Sequence, residues 1–128
     1  MPLLDQPGFE IRFADEVIFV EQQDGPDPDV DEKVMTAVSD GLICWSEKIP
    51  AGRAYITGKG EFRTNWRIYV DHTPGATFPY DEKQFLWHSK GSDLNADGTP
   101  NLWSSLIIQS IVTNDTEGIA TIEAARTR

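Results

Sequence analysis

The run Glu61-Phe62-Arg63-Thr64-Asn65-Trp66-Arg67-Ile68-Tyr69-Val70-Asp71 decides the class of fold. Phe62, Thr64, Trp66, Ile68 and Val70 fall on one side of an extended chain; Glu61, Arg63, Asn65, Arg67 and Tyr69 fall on the other. Successive side chains of a strand point to opposite faces, so this alternation marks an antiparallel strand with one face buried and one in water. Working outward, Ala54-Tyr55-Ile56-Thr57 is a strand between the turns Pro50-Ala51-Gly52 and Gly58-Lys59-Gly60. A long loop through Pro74, Gly75 and Pro79 leads to the short strand Gln84-Phe85-Leu86-Trp87-His88. Phe9 to Phe13 and Val17 to Val20 read as strands near the start. Leu102 to Thr113 is rich in β-branched Ile107, Ile108, Ile111 and Val112, which favour a central strand over a helix. Asn114-Asp115-Thr116-Glu117-Gly118 turns the chain into a last strand, Ile119 to Glu123. Short strands with frequent turn signals predict an all-β protein, an antiparallel β-sandwich of jelly-roll type, spanning 1–128 as a single domain.

The stretch 31–47 supports two readings. Val34, Val38, Leu42 and Trp45 recur at helical spacing behind the capping residue Asp31, which predicts a single helix. Against that, Asp40-Gly41 falls mid-segment, where glycine costs a helix about 1 kcal/mol and Asp-Gly favours a hairpin between two strands. Residues 22–33 hold Asp24, Asp27, Asp29, Asp31 and Glu32 among Gly25, Pro26 and Pro28. Prolines remove ladder donors and like charges repel, so this is an acidic loop or arm.

Composition narrows the function. The formal net charge of −10 disfavours direct binding to nucleic acid or to an anionic membrane, since both would be repelled. No apolar run approaches the roughly 20 residues needed to cross a bilayer as a helix. The N-terminus lacks the basic and long apolar regions of a signal peptide, so the expected site of synthesis and first folding is the cytoplasm. Cys44, the single cysteine, stands in the apolar run Leu42-Ile43-Cys44-Trp45 and reads as a buried thiol rather than a nucleophile. His72 and His88 lie on different segments, and none of the Gly-x-Ser-x-Gly, His-Glu-x-x-His, phosphate-loop or Cys-x-x-Cys patterns occurs. The expectation is a non-enzyme.

Two sets of residues carry binding hypotheses. Asp93, Asn95, Asp97, Thr99 and Asn101 place oxygens at alternate positions around Gly98, the arrangement by which short loops wrap calcium. The stretch resembles the Asp-x-Asn-x-Asp-Gly loops of EF-hands, dockerins and calcium-binding propeller repeats. It departs from them where Ser104 replaces the late bidentate acid, which implies a weak structural calcium site; the plainer alternative is a polar β-turn. Arg53, Arg63 and Arg67 form a basic set on an acidic chain, and Asp27, Asp29 and Asp31 are the opposite charges they would meet across an interface between copies. Cross-strand pairing of the arginines with Glu47 or Glu61 is the competing expectation.

Ile49-Pro50-Ala51-Gly52-Arg53-Ala54-Tyr55-Ile56 and Thr116-Glu117-Gly118-Ile119-Ala120-Thr121-Ile122-Glu123 are similar to the turn-and-strand phrases of jelly-roll domains in phage virion and fibre proteins. That resemblance implies a structural virion component, capsid-decorating or tail-associated, acting as a homo-oligomer or within a larger assembly. A calcium-stabilised carbohydrate-binding module, with some of the four tryptophans as a platform, is the rival reading. An acidic inhibitor of immunity-protein type is a third.

Overall fold

A computed structural model describes residues 15–27, 29, 32–49, 54–57, 60–63 and 66–126, with backbone alone for 54–57 and 60–63. Nine strands occur among them: β1 (Asp15–Asp24), β2 (Lys33–Ala37), β3 (Leu42–Lys48), β4 (Ala54–Thr57), β5 (Gly60–Arg63), β6 (Trp66–Asp71), β7 (Phe85–His88), β8 (Leu106–Asn114) and β9 (Ile119–Ala125). Every pairing is antiparallel. The all-β antiparallel expectation therefore holds.

The sandwich does not. The main sheet runs β2-β1-β3-β6-β9-β8-β7, and β7 also pairs with β1, from Val17↔His88 to Val20↔Phe85. That second pairing closes six strands into a barrel in the cyclic order β1-β3-β6-β9-β8-β7. Two facing sheets and a closed barrel demand the same inward-outward alternation, so local pattern alone could not separate them.

Of the two readings of 31–47, the strands hold: β2 and β3 occupy the segment, and no helix occurs among its described residues. Nor does Asp40-Gly41 reverse the chain. Both strands run in the same direction along β1, β2 opposite Val20 to Asp24 and β3 opposite Asp15 to Val17. Between these pairings Ile18 and Phe19 of β1 face four residues, Val38 to Gly41, so the two extra residues bulge from the strand edge. Ser39 satisfies the backbone that the bulge strands: Phe19 N–H donates to Ser39 Oγ at 2.9 Å, and Val38 N–H donates to Phe19 O at 2.9 Å. The acidic loop is shorter than expected, because β1 extends through Asp24, which forms an ion pair with Lys33 at the start of β2.

The single strand expected from Glu61 to Asp71 is two. β5 pairs with β4 in a separate two-stranded sheet, and β6 joins the barrel. Within β6, Ile68 and Val70 are buried and Trp66 packs at the edge of the core, as the alternation required. Phe9 to Phe13 lies outside the described residues.

Inside the barrel, Val17, Phe19, Cys44, Ile68, Val70, Leu86, Leu106, Ile108, Ala120, Ile122 and Ala124 pack into one cluster. Side chains fill the lumen, as a small barrel requires. β6 and β7 stand on opposite sides of the cyclic order, so the connection 72–84 must cross one end of the barrel. It brings a plug with it. Tyr80 stacks on Phe19 at 4.0 Å between ring centroids, and Phe78 meets both rings edge-on.

Candidate functional site

At the opposite end the barrel closes around polar groups. His88 is wholly buried, its ring edge-on to Trp66 at 4.7 Å. Gly91 N–H donates to His88 Nδ1 at 3.1 Å. A backbone N–H only donates, so Nδ1 is the acceptor and the neutral ring carries its proton on Nε2. Nε2–H therefore donates to Ser46 Oγ, 2.7 Å away. The Ser46 hydroxyl lies 3.6 Å from Cys44 Sγ, extending the chain of contacts to the thiol.

Burial pushes the His88 pKa down to about 4; Asp15 opposes the shift and Lys90 adds to it. Asp15 is itself buried and pairs with Lys90 Nζ at 3.2 Å. Burial drives the Cys44 thiol up to about 12, with the Ser46 hydrogen bond acting against it. A nucleophilic cysteine needs its thiolate, so this thiol acts as core, in line with the sequence reading. Gly91 has to be glycine here: a Cβ would stand 2.8 Å from Trp66 Nε1 and 3.1 Å from His88 Nδ1.

The candidate calcium loop belongs to a flap, residues 89–105. Trp87, Ile107 and Ala125 alternate with inner-core residues and so face outward, yet all three are buried. The flap ties down at Trp87, whose Nε1–H donates to Asp93 O at 2.9 Å. Leu94 pairs with Pro100, Asn95 N–H donates to Thr99 O at 2.7 Å, and Gly98, at φ +88°, closes a tight hairpin.

Each proposed ligand already has a hydrogen-bond or ion-pair partner. Asp97 Oδ1 accepts from Thr99 N at 3.0 Å and Thr99 Oγ1 at 2.6 Å. Asn95 Nδ2 donates to Thr99 Oγ1, Asn101 Oδ1 accepts from Trp103 N, and Asp93 Oδ2 pairs with Arg126 at 2.9 Å. Asp93, Asp97 and Asn101 thus commit side-chain oxygens, and Thr99 its carbonyl, that a calcium ion would take, whereas Asn95 uses its amide nitrogen. Among the described residues no group of three or more His, Cys, Asp or Glu side chains is gathered for a metal. Leu94 and Trp103 are exposed on the flap.

The interface residues are dispersed. Arg67 lies on the outer wall between Glu47 and Glu123, at 3.8 and 4.0 Å, the cross-strand pairing that competed with the interface expectation. Arg63 ends β5, opposite Ala54, on a different strand from Arg67. Asp27 and Asp29 are exposed in the β1–β2 loop, where Asp27 Oδ1 accepts from Asp29 N. Arg53 and Asp31 lie outside the described residues.

Sequence reading missed the outer wall formed by β3, β6, β9 and β8. Trp45, Tyr69, Thr121 and Val112 stand in one cross-strand row, the first two rings stacked at 4.8 Å. Val112, at 62% exposure, ends the row, and Ile43, at 61%, precedes Trp45 on the same face. The signal was present in the double-sided apolar character of Leu102 to Thr113. Register was needed to align it with β3.

No family model matches this chain, and none of the curated proteins is significantly similar in sequence. Among the described residues, no helix is long and apolar enough to cross a membrane.

Proposed function

We propose that this chain is a non-enzymatic structural subunit of a larger protein assembly, and that its setting is a phage particle, as a capsid-decorating or tail-associated component. The observation that carries the reading is the outer wall. Ile43 and Val112 flank the Trp45–Tyr69 stack on a rigid four-stranded surface, with Leu94 and Trp103 exposed on the flap. Large apolar side chains presented together on a rigid face suit protein contact, where aromatics contribute heavily. The groups best equipped for chemistry, Cys44 and His88, are instead buried within the fold. The phage setting rests on the resemblance of Ile49–Ile56 and Thr116–Glu123 to turn-and-strand phrases of virion proteins.

Quantitative mass spectrometry of gradient-purified particles from the source is the test. The expected result is this chain at a fixed copy number per particle, retained through salt washing. Recovery only in the particle-free fraction would overturn the virion setting.

A further inference from the structure

β8 outruns its neighbour at one mouth of the barrel. Along one edge it pairs with β9 as far as Asn114↔Ile119, but along the other β7 meets only Leu106 and Ile107. From Ile111 to Thr113 that second edge has no strand partner among the described residues. Two hydrogen bonds fix which backbone groups face it. Asn114 O accepts from Gly118 N at 2.9 Å, so Asn114 turns its groups towards β9, whereas Ile111 N–H donates to Glu82 Oε1 at 3.3 Å, away from β9. Backbone groups of successive residues in a strand point to opposite edges, so Ile111 and Thr113 both face the open one. The Glu82 oxygen stands where the carbonyl of an added strand would stand, on a long and solvent-exposed bond.

The edge is unguarded, and a cleft runs beside it. Natural edges carry lysine, proline or bulges against unwanted pairing. The irregularity of β8 falls between Ile108 and Ser110; beyond it the register with β9 is regular, and Ser110-Ile111-Val112-Thr113-Asn114 holds neither proline nor charge. A cleft of about 470 Å³ is lined by Ile111 and Thr113 on the strand side and by Phe78 and Tyr80 on the side of the crossing loop. Phe78, Tyr80 and Ile111 are packed in part against the core, so this apolar floor is anchored in the fold. The bordering segments 77–83 and 115–118 hold Asp81, Glu82, Asp115 and Glu117 against Lys83 alone. With Asp115 set aside, since it bonds to His72 at 2.7 Å, acids still outnumber the lysine three to one.

We propose that a partner protein adds an extended basic segment along this edge as a further strand, hydrogen-bonded to Ile111 and Thr113 and seating apolar side chains over Phe78 and Tyr80. Strand addition draws affinity from main-chain bonds and specificity from pockets for alternate side chains; the edge supplies the first and the cleft the second. The acidic border selects lysine or arginine on the incoming strand. It also disfavours the β8 edge of a second copy, because two such edges bring acid against acid. The contact is distinct from the apolar row of the outer wall, and its test does not depend on whether the chain is found on particles.

Nuclear magnetic resonance on the full chain tests this with a capped peptide that alternates lysine and valine. Saturable binding is expected, and the Thr113 amide, which faces the open edge, should exchange with solvent about tenfold more slowly in the complex. Residues opposite each other in a ladder share a face, so the valines that sit over the cleft are those whose N–H groups bond to β8. The same peptide N-methylated at its valines keeps its charge but not those donors, and should bind about tenfold more weakly or worse. A glutamate–valine counterpart should lose as much. Thr113→Pro removes an N–H that takes no part in the β9 ladder, so the variant should melt near wild type and lose the binding. If it does not fold, the methylated peptide decides. No saturation at millimolar peptide, an unchanged Thr113 exchange rate, or equal binding of the methylated or the glutamate peptide would overturn the proposal. Protection of Thr113 in a self-associated chain without peptide would overturn it as well, by giving the edge to a second copy.

Discussion

Phe19→Ala is expected to destabilise the protein by about 3–5 kcal/mol, the cost of truncating a large buried aromatic and leaving its space unfilled. Phe19 joins two parts of the fold. It lies on β1, the strand that closes the barrel, and it is the platform on which the crossing loop 72–84 seats Tyr80 and Phe78. Aromatic pairs of this kind add about 0.5–1.5 kcal/mol beyond the area they bury, so the loss exceeds that of an isolated aliphatic. For a chain of this size the melting temperature should fall by roughly 10–20 °C. Val112→Ala on the outer wall is the control and should stay within about 0.5 kcal/mol. A loss below 1 kcal/mol at Phe19 in urea unfolding would mean that the plug does not seal the barrel.

Acid should weaken the fold through His88. The unfolded chain protonates this ring near pH 6.5, whereas the buried ring, with Nδ1 occupied by Gly91 N–H, resists protonation until about pH 4. Between those values the unfolded state binds the extra proton, so stability falls as pH falls; above pH 6.5 the full contribution is present. The difference amounts to roughly 3 kcal/mol at about 1.4 kcal/mol per pKa unit. Carboxylates add their own slope below about pH 5, which calls for a comparison with His88→Gln, a variant that keeps a side-chain donor but does not titrate. Unfolding free energies at pH 7 and pH 4 should differ by more in wild type than in the variant. Parallel pH profiles would show that His88 takes up its proton at the same pH in the native barrel as in the unfolded chain.

Alternation from Trp66 to Asp71 was legible because a half-buried strand writes its faces directly into the sequence, and Ile68 and Val70 took the inner positions it indicated. Closure was not legible. The pairing of Val17 with His88 joins residues far apart in the chain, and no local period encodes it. The same limit explains the misreading of Asp40-Gly41. The dipeptide favours a turn, but β1 offered one long edge to both flanking strands, and a bulge fitted Asp40 and Gly41 without reversing the chain. In the flap, Asn95, Asp97 and Gly98 were legible as turn formers. That the turn would fold back over Trp87 was not, since the anchoring bond runs from an indole N–H to a backbone carbonyl. Arg67 illustrates how a charge assigned to an interface by composition becomes a wall residue once register sets Glu47 and Glu123 on either side.

The central structural claim is that the sheet closes on itself around an interior filled with side chains. Interstrand nuclear Overhauser contacts measure it most directly. Contacts between Ile18 and Trp87 and between Phe19 and Leu86 should appear in the same spectra as those between Ile68 and Ile122, at comparable intensity. Strong contacts across β6 and β9 with none across β1 and β7 would contradict closure and return the fold to an open sheet or a sandwich.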